Sequence, residues 1–129
     1  MARRAGEDDY NNTYSFIGGK LEIDDGGILA GLKREKNEEV GESFIIKIQP
    51  HASYNVYFVK NSGRHMIIPH YFAQYVGGEV TLNHEYSDYK WVKLTDLADF
   101  EPKIENIAEV ASRMLDLYAS FKEADFVTI

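Results

Sequence analysis

Lys33-Arg34-Glu35-Lys36-Asn37-Glu38-Glu39-Val40-Gly41 is the stretch on which the reading of this chain turns. On a helix, positions three and four apart share a face. Glu35 then lies beside both Glu38 and Glu39, and three carboxylates converge on one patch. Like charges at these separations destabilise a helix by roughly 0.2–0.5 kcal/mol per pair. A divalent cation offsets that cost, because Mg²⁺ is a hard ion that takes carboxylate oxygens and keeps some of its waters. Arg34, four residues before Glu38, is placed to orient it through a charge-assisted hydrogen bond. The alternative is a solvated helix face on which Lys33, Arg34 and Lys36 balance the acids in surface pairs.

Working outward, the helix runs from about Ile28 to Val40 and stops at Gly41, a residue suited to the backbone that follows a helix. Asp24-Asp25-Gly26-Gly27 reads as a turn whose aspartates cap the helix start. Upstream, Met1 to Asn12 is polar and reads as irregular, and Tyr14-Ser15-Phe16-Ile17 as a short strand ending at Gly18-Gly19. Downstream, Phe44 to Gln49, Ser53 to Lys60 and His65 to Val76 are rich in β-branched and aromatic residues and read as strands. The first two pair across Pro50-His51-Ala52, and Asn61-Ser62-Gly63 and Gly77-Gly78 supply turns. Asp88 to Lys93 is a shorter strand around Trp91, followed by a helical turn from Thr95 to Ala98. Ile104, Ile107, Val110, Ala111, Met114, Leu115 and Tyr118 recur at helical spacing within Ile104 to Phe121, so one face of a final helix packs on the sheet. These elements imply an α/β or α+β sandwich in a single domain spanning residues 1–129.

The glutamate helix and its surroundings resemble the Nudix box. That pattern runs Gly, five residues, Glu, seven residues, Arg-Glu, an apolar residue, any residue, Glu-Glu, any residue, Gly, any residue, apolar. Gly18-Gly19-Lys20-Leu21-Glu22 is similar to the family's opening Gly-Gly-Lys-x-Glu. Arg34-Glu35 and Glu38-Glu39 match its metal-binding core, and Gly41 its closing glycine. Gly19 and Arg34 are one residue further apart than in the pattern, so Asp25 is the nearest acid to the first box glutamate. Lys36 stands where an apolar residue is usual, and Ser43 replaces the last apolar position. Further on, Gly78-Glu79, Glu85, Tyr89-Lys90-Trp91-Val92 and Thr95-Asp96-Leu97 follow the family's order, so the resemblance covers almost the whole chain.

The resemblance implies an α/β/α sandwich around a mixed β-sheet. It implies Mg²⁺-dependent hydrolysis of a diphosphate linkage in a small nucleotide-type substrate, with Mn²⁺ able to substitute. Glu35, Glu38, Glu39 and the backbone carbonyl of Gly19 are the implied metal ligands. Glu38 or Glu85 is the implied general base, and Arg34 and Gly41 are structural. Nudix domains usually carry one or two strands before the Gly-Gly-Lys-x-Glu element. Only 17 residues precede Gly18 here, and Met1-Ala2-Arg3-Arg4 looks like the tail of such a strand. The first strand or strands thus read as missing, which would leave a sheet edge open to a second copy of the chain. A different class of answer is a non-catalytic Nudix-fold nucleotide-binding or sensor module. A third is an interaction domain that binds no metal.

Composition narrows the field. With 44% hydrophobic residues, the 129-residue chain can build one core. It has no cysteine, so disulfides, thiolate metal sites and cysteine nucleophiles are out, which fits a cytoplasmic home. A net charge of −7 weighs against nucleic acid, which is bound by neutralising phosphates. No apolar run reaches the length of a membrane span. His51, His65, His70 and His84 lack metal-ligand spacing. Trp91 reads as a core or substrate-wall residue, and the tyrosines as strand formers rather than base-stacking groups.

Overall fold

The computed structural model describes residues 1–129. The elements in chain order are β1 (Ala2–Arg4), β2 (Tyr14–Ser15), α1 (Ile28–Val40), β3 (Ile45–Val59), β4 (His65–Gly77), β5 (Tyr86–Tyr89), α2 (Ile107–Tyr118) and β6 (Val127–Thr128). Short 3₁₀ turns lie at Leu94–Asp96 and Glu123–Asp125. The molecule is thus mixed α+β, with two helices and two three-stranded antiparallel sheets, in the order β2-β1-β5 and β4-β3-β6. The parallel component of the expected mixed sheet is confined to one bridge, Tyr14 to Lys103. No helix is long and apolar enough to cross a membrane.

The two faces of β3 and β4 carry one helix each. Val40 of α1 forms the core with Phe44, Ile46 and Ile48, and Leu29, Leu32 and Tyr71 pack around them. The opposite face meets α2. There Phe72 stacks on Tyr118 with ring centroids 4.7 Å apart, and the Tyr54 hydroxyl donates to Glu109 at 2.8 Å. Alternation along a strand puts neighbours on opposite faces, as with Tyr71 and Phe72. Ile46 and Ile48 face α1, yet Tyr54, also even-numbered, reaches α2. The reason is a bulge. Ile48 lies opposite Ala73 and Ser53 opposite Tyr71, so β3 advances five residues while β4 advances two. That odd excess flips the faces.

Three expectations are corrected. Pro50-His51-Ala52 is this bulge inside one long strand, not a turn between two. Proline has no N–H to give the ladder, so it is tolerated where pairing breaks. The start, expected to be irregular from Met1 to Asn12, carries strand β1, which is not an open edge but the central strand of its sheet, paired to both β2 and β5. The strand expected around Trp91 lies earlier, at Tyr86–Tyr89. One element had no sequence expectation at all. β6 pairs with Lys47 and Ile48 of β3, and Ile129 packs on the core.

Candidate active site

Helix α1 has the expected bounds, and its ends explain its reach. Its start follows Gly27 with no side-chain cap, so the aspartates do not cap it. Its end is closed by Gly41, at a positive φ of 91°, and Lys36 secures the turn beyond it. That side chain is buried, and its Nζ donates to the carbonyls of Phe44 at 2.8 Å and Gly41 at 3.3 Å. The last carbonyls of a helix have no partner within it. Here the Val40 and Glu39 carbonyls accept from the amides of Thr81 and Asn83, while Lys36 fills the position of the pattern's apolar residue with its stem and ties the turn beyond the helix with its ammonium. Burial pushes its pKa down.

Asp25 is occupied elsewhere. Its carboxylate takes a two-point contact from Arg34, Nε at 2.7 Å and Nη2 at 3.0 Å, and accepts from the Glu22 amide at 2.7 Å. These bonds hold its pKa at about 2. The remaining Arg34 donors reach the Lys20 carbonyl at 2.8 Å, Glu35 at 3.0 Å and Glu38 at 3.1 Å. Arg34 thus ties the loop from Lys20 to Asp25 onto the glutamate face of α1. The extra residue before the helix is absorbed in this loop.

The three box glutamates differ in burial and in partners. Glu38 is the outermost, with its side chain 55% exposed. Glu35 is pressed against Gly19, where a Cβ would come within 2.1 Å of its carboxylate. Glu39 is buried between two donors, the Tyr86 hydroxyl at 2.9 Å and the Gly18 amide at 2.6 Å. Burial, helped by the charges of Glu35 and Glu85, raises the Glu39 pKa to about 7 against the pull of both hydrogen bonds. Glu85 is set by a turn in which Asn83 Oδ1 accepts from its amide at 2.9 Å. The Asn83 amide in turn donates to the Glu39 carbonyl, and the Ala5 amide, just beyond β1, donates to the Glu85 carbonyl.

The structure therefore brings Gly19, Glu35, Glu39 and Glu85 to one region and leaves Glu38 at its rim beside Arg34. No three acidic or imidazole groups converge closely enough to share one ion. The donor chemistry nonetheless fits a hard divalent cation. Glu39 is a carboxyl whose pKa is raised first by burial and then by two neighbouring carboxylates, and a cation there would relieve all three.

Sequence reasoning did not single out Tyr86, Gly18 or Lys36 for these contacts. Tyr86 follows Glu85 directly, so its place beside the site could be read once Glu85 was chosen. Trp91, read as core or substrate wall, is 67% exposed and belongs to no core.

A family-wide description, the NUDIX domain, matches residues 1–117, a span that includes Gly19, Arg34, Glu35, Glu38, Glu39 and Gly41. The chain is a member of the Nudix family. Among curated proteins none matches it. Nudix membership supports hydrolysis of nucleoside diphosphate derivatives in general, with a small nucleotide-type substrate, and Nudix hydrolases generally use a divalent metal such as Mg²⁺.

Proposed function

We propose that this chain, as one domain over residues 1–129, is a Mg²⁺-dependent pyrophosphohydrolase. It cleaves the diphosphate linkage of a nucleoside diphosphate derivative or a nucleoside triphosphate. The observation that carries the reading is Glu39, a buried carboxyl in register with Glu35 and within electrostatic reach of Glu85. Such an arrangement is costly unless it serves a cation. Glu35, Glu38, Glu39 and the Gly19 carbonyl would hold it, and Mn²⁺ would serve in place of Mg²⁺. When bound, the ion supplies Lewis acidity toward a phosphoryl oxygen and a lowered pKa for water.

The chain's own groups do the rest. Tyr86 and the Gly18 amide fix the Glu39 carboxylate, and Arg34 fixes Glu35, Glu38 and the loop that carries Gly19. Glu85, which makes no salt bridge, would take the proton of the attacking water, with Glu38 as the other candidate base. The water oxygen bonds to phosphorus, the bridging P–O bond breaks, and the leaving phosphate keeps the electron pair. Gly41 is structural.

A second reading, a non-catalytic nucleotide-binding or sensor module, is favoured by one observation. Arg34 spans Glu35 and Glu38, so the ligand set is not gathered around one point. One experiment separates the two. The purified chain is incubated with Mg²⁺ and a panel of nucleoside triphosphates, nucleotide sugars and dinucleoside polyphosphates. The enzyme releases phosphate or pyrophosphate from at least one, and Glu39→Gln lowers that rate by roughly 100-fold. Binding without Mg²⁺-dependent turnover would favour the sensor. Unchanged turnover in Glu39→Gln would sink the metal assignment.

We also infer self-association. Strand β4 is an edge strand paired only to β3, and a second copy is the partner that an open edge of this length invites. A cytoplasmic home accords with the absence of cysteine.

A further inference from the structure

Away from the glutamates, between the start of β3, the end of β4 and the segment after β5, lies an open cavity of about 540 Å³. That size suits a small-molecule site, which runs from roughly 300 to 1,000 Å³. Phe44, Tyr75, Tyr89 and Trp91 form its aromatic wall, with Val80 and Glu79 beside them. Phe44 and Tyr75 are stacked at 5.4 Å, and Trp91 meets Tyr75 nearly edge-on at 5.3 Å. Phe44 is buried and anchors the cluster in the core, while Tyr75 is 51% and Trp91 67% exposed. Ring faces left open to water in one contiguous patch are unfavourable unless something covers them.

The polar side of the cavity limits what that cover is. Glu79 is the only charged side chain in the wall, and a carboxylate accepts hydrogen bonds only. The Gly78 carbonyl is already taken by the Tyr75 hydroxyl at 2.7 Å, and the Glu79 carbonyl by Ser43 at 3.1 Å. A ligand that is flat, apolar on its faces and a donor at its edge, with any phosphate away from Glu79, fits these groups. Val80 of the wall is three residues from Asn83, whose amide holds the Glu39 carbonyl. Three extended residues span at most about 10 Å, so the cavity wall at Val80 and the turn at Asn83 against the backbone of Glu39 lie within that distance of each other.

We propose that this cavity is the subsite for the nucleobase of the substrate. The base stacks on the exposed Trp91 ring, Tyr75 closes the cavity at the edge of that ring, and Glu79 accepts from an N–H on the edge of the base. The proposal rests on the chain acting on nucleotides, as inferred above, but its test does not pass through hydrolysis.

Trp91 is the only tryptophan in the chain, so its fluorescence reports the cavity directly. The intact protein in chelator, without metal, is titrated with each nucleoside monophosphate and with ribose 5-phosphate. Saturable quenching by at least one nucleotide, and none by ribose 5-phosphate, is expected. Tyr75→Leu should weaken that binding about tenfold or more, in the range of losing one stacking partner. Glu79→Gln should weaken it with the aromatic wall intact, and retained circular dichroism excludes misfolding of either variant. Absence of quenching by every nucleotide overturns the proposal, as does equal quenching by ribose 5-phosphate or quenching untouched by both substitutions. Base-dependent quenching in a chain that hydrolyses nothing would leave the subsite standing and remove the hydrolase reading alone.

Discussion

At the scale of single residues, Arg34 and Gly19 do the most with the least. Arg34 bonds Asp25, Glu35, Glu38 and the Lys20 carbonyl. Asp25 takes the two-point share of that guanidinium, the strongest geometry available to the pair, and its pKa falls from 3.8 to about 2. A carboxyl with a depressed folded pKa stabilises the fold above its unfolded value and loses that contribution as pH falls through the folded one. The thermal midpoint of the natural chain should therefore exceed that of Asp25→Asn above about pH 4, and the gap should narrow as pH falls toward 2. Melts followed by circular dichroism over that range check it, and a gap constant with pH would contradict the ion pair. Gly19 makes a different kind of prediction. A Cβ there would overlap the Glu35 carboxylate, the far end of a flexible side chain that can swing away. Gly19→Ala should then change stability by less than about 1 kcal/mol while turnover falls sharply. An unfolding curve and a rate measured on the same sample decide it.

At the scale of elements, α1 was legible because everything that defines it is local. Helical spacing runs from Ile28 to Val40 between Gly27 and Gly41, and the same 3.6-residue period puts Glu35 beside Glu38 and Glu39. What secures the turn after the helix was not legible, because Lys36 in a row of charged residues looks like a surface lysine. Its burial depends on the chain turning back at Phe44. Lys36→Ala removes the packed stem and leaves two carbonyls unpartnered, which should cost about 2–3 kcal/mol. Lys36→Met keeps the stem and should cost less. Urea unfolding of the two variants orders them, and a greater loss in Met than in Ala would refute the packing role. β3 shows the opposite case. Pro50-His51-Ala52 carries the same local cues whether the chain turns or bulges, and only the partner strand decides. Because β4 continues straight past it, the segment is a bulge.

At the scale of the molecule, the outer half of the β3–β4 hairpin is left without cover. Tyr57 lies opposite Ile67 and Val59 opposite His65, and Tyr57, Val59 and Ile67 are all exposed on one face. Two copies each carrying a charge of −7 repel, but Tyr57, Val59 and Ile67 themselves bring no charge to the contact. The chain should sediment as a dimer, and Ile67→Lys, which puts two like charges into a two-fold contact, should sediment as a monomer. A natural chain that stays monomeric at high concentration would count against the inference. The amino-acid sequence by itself determined the family pattern, the α+β composition and the register of Glu35, Glu38 and Glu39, since each follows from spacing within one element. Only the tertiary structure decided that Glu39 lies buried against Tyr86, that Asp25 answers Arg34, that Lys36 is internal and that β1 sits at the centre of its sheet. Each of those depends on contacts between residues far apart in the chain. Such contacts arise from the packing of whole elements, and the spacing of neighbours does not encode them.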